Sequence, residues 1–207
     1  MAASPSTKPR KKPSQERSRA MVDTLIEATA RILVKEGFDK ASTNRIAEKA
    51  GASVGSLYQY FPTKEALVAA VMERHQMELM QVVRGALAEV EALPMEQAVP
   101  KLVAAAIEAH RVDPKLHRVL SEQTPRTGRL ENIETFNREN YALIRTYLEA
   151  HRNEFREVDL GLATFVCVTS IEALTHTAVL HHSESFSEEA FRALIDEASR
   201  LIVRYLT

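Results

Sequence analysis

An all-α fold is what this chain predicts, and three features carry the prediction. Apolar residues recur at three- and four-residue spacing, as on one face of a helix. No run alternates β-branched residues with polar ones in the manner of a half-buried strand. Only six glycines and no tryptophan occur among 207 residues, 45% of them apolar, which suits a globular protein. The expected layout is a basic arm over 1–16, a small helical unit over 17–64 and a larger helical domain over 65–207.

The arm, MAASPSTKPRKKPSQE, is rich in Pro, Ser, Lys and Arg and has no apolar period, so it reads as disordered. Lys8, Arg10, Lys11 and Lys12 either contact nucleic acid or only aid solubility. A first helix follows from about Arg17 to Lys35, with Val22, Leu25, Ile26, Thr29, Ile32 and Leu33 on one stripe. Gly37 ends it, and Phe38 folds back on the last turn.

Two short helices come next. Ser42 caps the first, whose inward residues are Ile46, Ala47 and Ala50, and Gly51 ends it in the left-handed conformation. Ser53 caps the second, Val54 to about Phe61, with Leu57 and Phe61 on its buried face; Pro62 stops it. That outline is a helix-turn-helix, whose second helix enters the major groove of DNA. A module of about fifty residues is small for independent stability and should lean on the rest of the chain.

Thr63 caps a fourth helix from Lys64. Leu67, Val71, His75, Leu79, Val82, Val83, Ala86 and Val90 hold the helical period to about Leu93, roughly 45 Å of helix. Further helices are expected over Glu96–Arg111 with Pro100 in the first turns, after Asp113-Pro114, over about Arg129–His151, over Asp159–Leu180 and over Glu188–Leu206. The long helix before His151 has Ile133, Phe136, Asn140, Ile144 and Tyr147 inward, and Thr124–Gly128 reads as a loop.

Charge divides unevenly. Residues 1–64 hold twelve Lys and Arg against six Asp and Glu, net +6; residues 65–207 hold fifteen against twenty-two, net −7. A basic N-terminal third on an acidic body fits a nucleic-acid reader with a separate module, or is a chance imbalance. A single cysteine, Cys167, excludes a disulfide framework and fits a reducing cytoplasm. The N-terminus has no apolar run of a secretory signal, and no stretch is expected to reach the ~20 apolar residues of a membrane span.

The string T-x-x-I-A-x-x-A-G-x-S-x-G-S-L-Y-x-Y-F-P-x-K-E-x-L, Thr43 to Leu67, resembles the DNA-binding domain of the TetR family of bacterial transcription regulators. The resemblance covers about Ser18 to Leu67. It implies a cytoplasmic homodimer on a palindromic DNA operator, a C-terminal domain that senses a small molecule, and repression as the common mode. It also implies phosphate contacts at Thr43, Ser56, Tyr60 and Lys64. Their hydroxyls and ammonium suit backbone positioning, and Thr43 lies in a first helical turn with free N–H groups. Base reading falls to the outward face that starts the second short helix, Val54, Gly55, Tyr58 and Gln59, with Asn44 from the helix before. Gly55 costs about 1 kcal/mol against alanine inside a helix. Either close approach of DNA or tight packing of a neighbouring helix explains it.

On the helix from Asp159, Leu160, Ala163, Cys167, Ser170, Leu174 and Thr177 repeat at 3-4-3-4-3, a seam of small residues. The last helix carries Phe191, Leu194, Ile195, Ala198, Leu201, Ile202 and Tyr205 on one stripe. Either these two helices pair with a second copy or both stripes bury within one chain. Glu172 and His176, one turn apart in apolar surroundings, form either a satisfied polar pair or a sensor group. Effector-contact candidates are His110, His117, Phe136, Asn140, Phe165, Thr169, Glu172 and His176. The alternatives are an activator of the same fold or a metal-sensing regulator, against which stand the single cysteine and the lack of a tight His/Cys/Asp cluster; no cofactor motif is legible. Without a nucleotide-binding glycine loop or a Ser-centred elbow, no enzyme is expected.

Overall fold

The structure, a computed structural model, describes residues 16–127, 130–181 and 186–207. The described residues hold nine α-helices and no strand: α1 Glu16–Glu36, α2 Thr43–Ala50, α3 Val54–Tyr60, α4 Lys64–Val90, α5 Met95–Arg111, α6 Pro114–Thr127, α7 Leu130–Ala150, α8 Leu160–His181 and α9 Glu188–Leu206. One 3₁₀ turn, Arg152–Glu154, follows α7. Residues 1–15 of the basic arm lie outside the described residues, as do His182 and the side chain of Ile133; Glu16, placed in the arm by the sequence, instead opens α1.

Two compact units divide the chain. The first takes the residues up to Gln76 and Lys115–Ile133; the second takes Met77–Pro114 and Glu134–Thr207. In the first, Leu25, Ile32 and Leu33 of α1, Ile46 and Ala47 of α2, Leu57 of α3, Phe61, and Leu67, Val68 and Val71 of α4 form one buried core. Each of the larger side chains in it contributes about 1.5–3 kcal/mol on burial. Leu116 and Leu120 of α6 complete that core, so the small N-terminal module does take help from a distant stretch of chain.

Local signals set the boundaries of α2 and α3. Ser42 Oγ accepts from Arg45 N at 3.2 Å, and Ser53 Oγ accepts from Ser56 N at 3.0 Å. Gly51 sits at φ 63°. Its N–H donates to Glu48 O at 3.1 Å, and Ala52 N donates to Ala47 O at 2.9 Å. This pair of bonds is a Schellman closure, and it satisfies two orphan carbonyls at the end of α2. Thr63 Oγ1 accepts from Ala66 N at 3.1 Å and opens α4.

The second unit packs Val90, Met95, Val99, Val103, Ile107, Tyr147, Leu148, Ala163, Cys167, Val179, Leu180, Phe191, Ala198, Ile202 and Leu206 into its own core. Asp159 Oδ1 accepts from Leu162 N at 2.8 Å to cap α8, and Ser187 Oγ accepts from Ala190 N at 3.2 Å to cap α9. The Arg156 guanidinium donates to Tyr205 O at 2.9 Å, closing the far end of α9.

Three expectations are corrected. The segment read as a loop from Thr124 is helical through Thr127, because Pro125 falls within the continuing α6. The predicted α8 seam does not form one face to the outside: Ala163 and Cys167 are buried within the unit, and burial pushes the Cys167 thiol up to about 11. Large apolar side chains instead lie exposed at Leu162, Phe165 and Leu174 of α8 and Leu201 of α9. Finally, α8 is long and apolar enough, by length and composition, to cross a membrane, though a third of its most apolar window is buried within the chain. Threonines interrupt its apolar run, yet their hydroxyls return to the helix: Thr164 Oγ1 donates to Leu160 O at 2.7 Å and Thr175 Oγ1 to Ile171 O at 2.9 Å.

Candidate nucleic-acid interface

Burying Leu57 fixes the rotation of α3. With Leu57 and Phe61 in the core, Val54, Gly55, Tyr58 and Gln59 are left on the exposed side. Val54 is 36% exposed and Tyr58 39%. An added Cβ at Gly55 would meet only Ser53 Oγ, at 3.8 Å. No neighbouring helix therefore packs on Gly55, and the close-packing alternative fails.

Asn44 is exposed in the first turn of α2. Beside it, Thr43 Oγ1 and the Tyr58 hydroxyl are 3.1 Å apart, joining the start of α2 to the outer face of α3. Ser56 Oγ lies 2.8 Å from Ser53 Oγ, so this side chain is drawn into the cap of its own helix. Tyr60 is only 9% exposed and its ring belongs to the core. The Lys64 ammonium lies 4.2 Å from the centre of the Phe38 ring and donates to Phe38 O at 3.3 Å. Lys64 thus ties the start of α4 to the turn after α1.

One ion pair near the start of α2 escaped the sequence reading. Arg45 of α2 donates to both Glu36 carboxylate oxygens, at 3.0 and 3.3 Å, and lies 3.7 Å from Glu48. The hydrogen bond from Arg45, with its charge, holds the Glu36 carboxyl below its usual range. Only the spacing to Glu48 was legible in sequence; the Glu36 contact comes from the α1–α2 turn.

The effector candidates separate between the units. His117 is in the first, with its Nδ1 2.7 Å from His75 Nε2. The others are in the second. His110, 4% exposed, has Nδ1 at 2.7 Å from Ala106 O and Nε2 at 3.3 Å from Glu172 Oε1. Glu172 was expected to be buried with His176 as its partner; instead its side chain is half exposed and reaches His110 of α5. Burial opposes protonation of His110, but the Glu172 bond and charge and the Ala106 carbonyl outweigh it and raise its pKa. His176, edge-on to His110 at 5.6 Å, is pushed down by burial and by the charge of His110. Tyr141 of α7 meets α8 through a 2.9 Å bond to Thr169 Oγ1 and a ring contact with Phe165 at 6.5 Å. Phe136 and Asn140 are half-buried on α7. Among the described residues no group of three or more His, Cys, Asp and Glu is arranged to hold a metal ion.

A family model described as "Bacterial regulatory proteins, tetR family" matches residues 25–71, and one described as "Tetracyclin repressor-like, C-terminal domain" matches residues 94–206. The chain is 28% identical over 111 residues to the nucleoid occlusion factor SlmA of Glaesserella parasuis, covering 54% of this chain and 52% of that one. It is 40% identical over 63 residues to the transcriptional activator FasR of Mycolicibacterium smegmatis, covering 30% of this chain and 29% of that one. The chain therefore spans about half or less of the length of these curated relatives. In fold it is similar to the transcriptional regulator FadR of Bacillus subtilis, solved in complex with stearoyl-CoA, with TM-score 0.68, 17% identity, and coverage of 89% of this chain and 99% of that one. With its C-terminal match alone spanning more than half of its length, the chain belongs to the TetR family of transcription regulators, DNA-binding proteins rather than enzymes.

Proposed function

We propose that this regulator is a repressor that binds a palindromic operator as a homodimer in the cytoplasm and is released by a small-molecule effector. The observation that carries the reading is the exposed face of α3, where Val54, Gly55, Tyr58 and Gln59 stand clear while Leu57 anchors the helix below. Gln59 and Asn44 suit adenine edges, Val54 a thymine methyl, and Thr43 and Lys64 the phosphates. Few of these groups are base-specific, so half-site spacing and DNA shape supply much of the selectivity.

Dimerisation through α8 and α9 is supported by their exposed apolar side chains and by a groove between them. Leu174, Leu194, Ala198 and Leu201 line it, with Glu197, Arg200 and Arg204 at its edge. A helix that is apolar on both faces needs cover on both. The effector reading rests on His110, Phe165, Thr169, Glu172 and His176 of the second unit, and stearoyl-CoA, bound by the FadR neighbour, makes long-chain acyl-CoA the first class to test. An effector that prefers one arrangement of the second unit shifts α4 and lowers DNA affinity, with a typical coupling of about 1–3 kcal/mol. FasR, named an activator, favours activation as the second reading.

Salt-titrated binding to the DNA flanking its own coding region tests the proposal. Lys64→Ala should weaken binding to every sequence and reduce the salt slope by about one. A protein that sediments as a single subunit and ignores duplex DNA at low salt defeats it.

A further inference from the structure

We propose that His75 and His117 form a proton-operated latch that docks α6 onto α4 near neutral pH and opens on acidification. This input is separate from any small-molecule effector.

The geometry is a direct contact between two imidazoles. His75 Nε2 of α4 and His117 Nδ1 of α6 are 2.7 Å apart, with ring centroids 5.0 Å apart and planes at 64°. An imidazole nitrogen is a donor when it carries hydrogen and an acceptor only when bare. One of these two nitrogens therefore carries the shared proton, and the other is bare. A pair in which both rings are imidazolium would set N–H against N–H, so the closed contact excludes it.

Burial raises the stakes. His75 is 5% exposed and His117 half-buried. The charged groups around the pair can be named element by element. On α4, Arg74 donates to Glu27 of α1 at 3.2 Å. Glu73 and Glu78 of α4 and Lys115, Arg118 and Glu122 of α6 are exposed or, for Arg74, partly so. Ser121 Oγ donates to His117 O, which fixes the turn of α6 that carries the ring.

Linkage sets the direction. In the unfolded chain both rings take protons near the ordinary imidazole value of about 6.5. The closed pair refuses one of them. Below about that pH the opened state binds more protons than the closed one, so acid favours opening. The consequence falls on the DNA-binding unit, because Leu116 and Leu120, flanking His117 on α6, are part of its core with α1 and α4.

Two measurements on the full-length protein test the latch as pH falls from about 7.5 to about 5.5, across the imidazole value. Long-range proton–nitrogen spectra of the histidine rings should show one member of the pair staying neutral below the ordinary imidazole value of about 6.5. Hydrogen exchange in α6, corrected for intrinsic rates, should speed up by about tenfold, the equivalent of one unit of proton linkage. In the double variant His75→Leu with His117→Leu, two apolar groups replace the pair and the acceleration should vanish. Should that variant not fold, His117→Asn serves, because its amide donates or accepts and keeps the contact at either pH. Independent titration of both rings at the ordinary value overturns the latch. So does α6 exchange that ignores pH in the parent protein, or that speeds up equally in the folded variants.

Discussion

Helices α3 and α8 both expose apolar side chains, and for opposite reasons. On α3, Val54 and Tyr58 share their face with Gln59 and with the Thr43–Tyr58 hydroxyl pair, so the face mixes apolar surface with donors and acceptors. On α8, Leu162 and Phe165 are each more than half exposed, and Leu174 lies beside Leu201 in a groove. The first face sets hydrogen-bonding groups beside apolar surface, the mix that the proposed DNA contact needs. The second suits an apolar partner such as another copy of itself. Exposure alone does not distinguish the two; the hydrogen-bonding groups interleaved with it do.

Removing the anchor beneath the first face should have the largest effect. Leu57→Ala leaves a cavity in a fully buried site and should cost about 2–5 kcal/mol of stability in a denaturant titration, with DNA binding lost in parallel. A loss below 1 kcal/mol, far under that range, would mean α3 is not anchored as described.

On the second face, Leu174→Glu, in the groove proposed to pair with a second copy, should raise the dimer dissociation constant by about 30-fold or more, read by sedimentation, while leaving the subunit folded. If sedimentation is unchanged, the α8 face has another use.

Gly55→Ala sharpens the contrast within α3 itself. The free protein has room for the added carbon, so stability should rise by up to about 1 kcal/mol. DNA affinity should fall in the same variant. A gain in both would remove the argument for close backbone approach.

The smallest effect concerns pH in the second unit. The folded pKa of His110 is raised from 6.5, so the bond to Glu172 contributes stability that is fully present below 6.5 and is lost as pH rises through the folded value. Thermal unfolding across that range should show a decline that Glu172→Gln flattens; parallel curves would place the linkage elsewhere.

How much of this was legible in advance differs between the units. Ser42, Gly51, Ser53 and Thr63 each act within four residues of themselves, so their caps could be read in sequence and are found in place. The rotation of α3 followed from Leu57 and Phe61. The burial of Tyr60 did not, because a tyrosine next to a buried phenylalanine serves equally in core or on surface. In the second unit the seam from Leu160 to Thr177 was visible as a pattern. Which of its two readings held could not be told from the pattern, because α5 and α9 cover the side of α8 that carries Ala163 and Cys167. Glu172 met His110, 62 residues away, rather than His176 one turn away.

By itself the sequence determined the helical class, the order of the helices, the turn geometry at Gly51 and the face of α3 left exposed. Those follow from interactions among residues one to four positions apart. Only the tertiary structure decided that α6 completes the core of the DNA-binding unit, that His75 meets His117, and which side of α8 stays uncovered. Such pairings join segments distant in the chain, and helical periodicity names a face without naming what covers it.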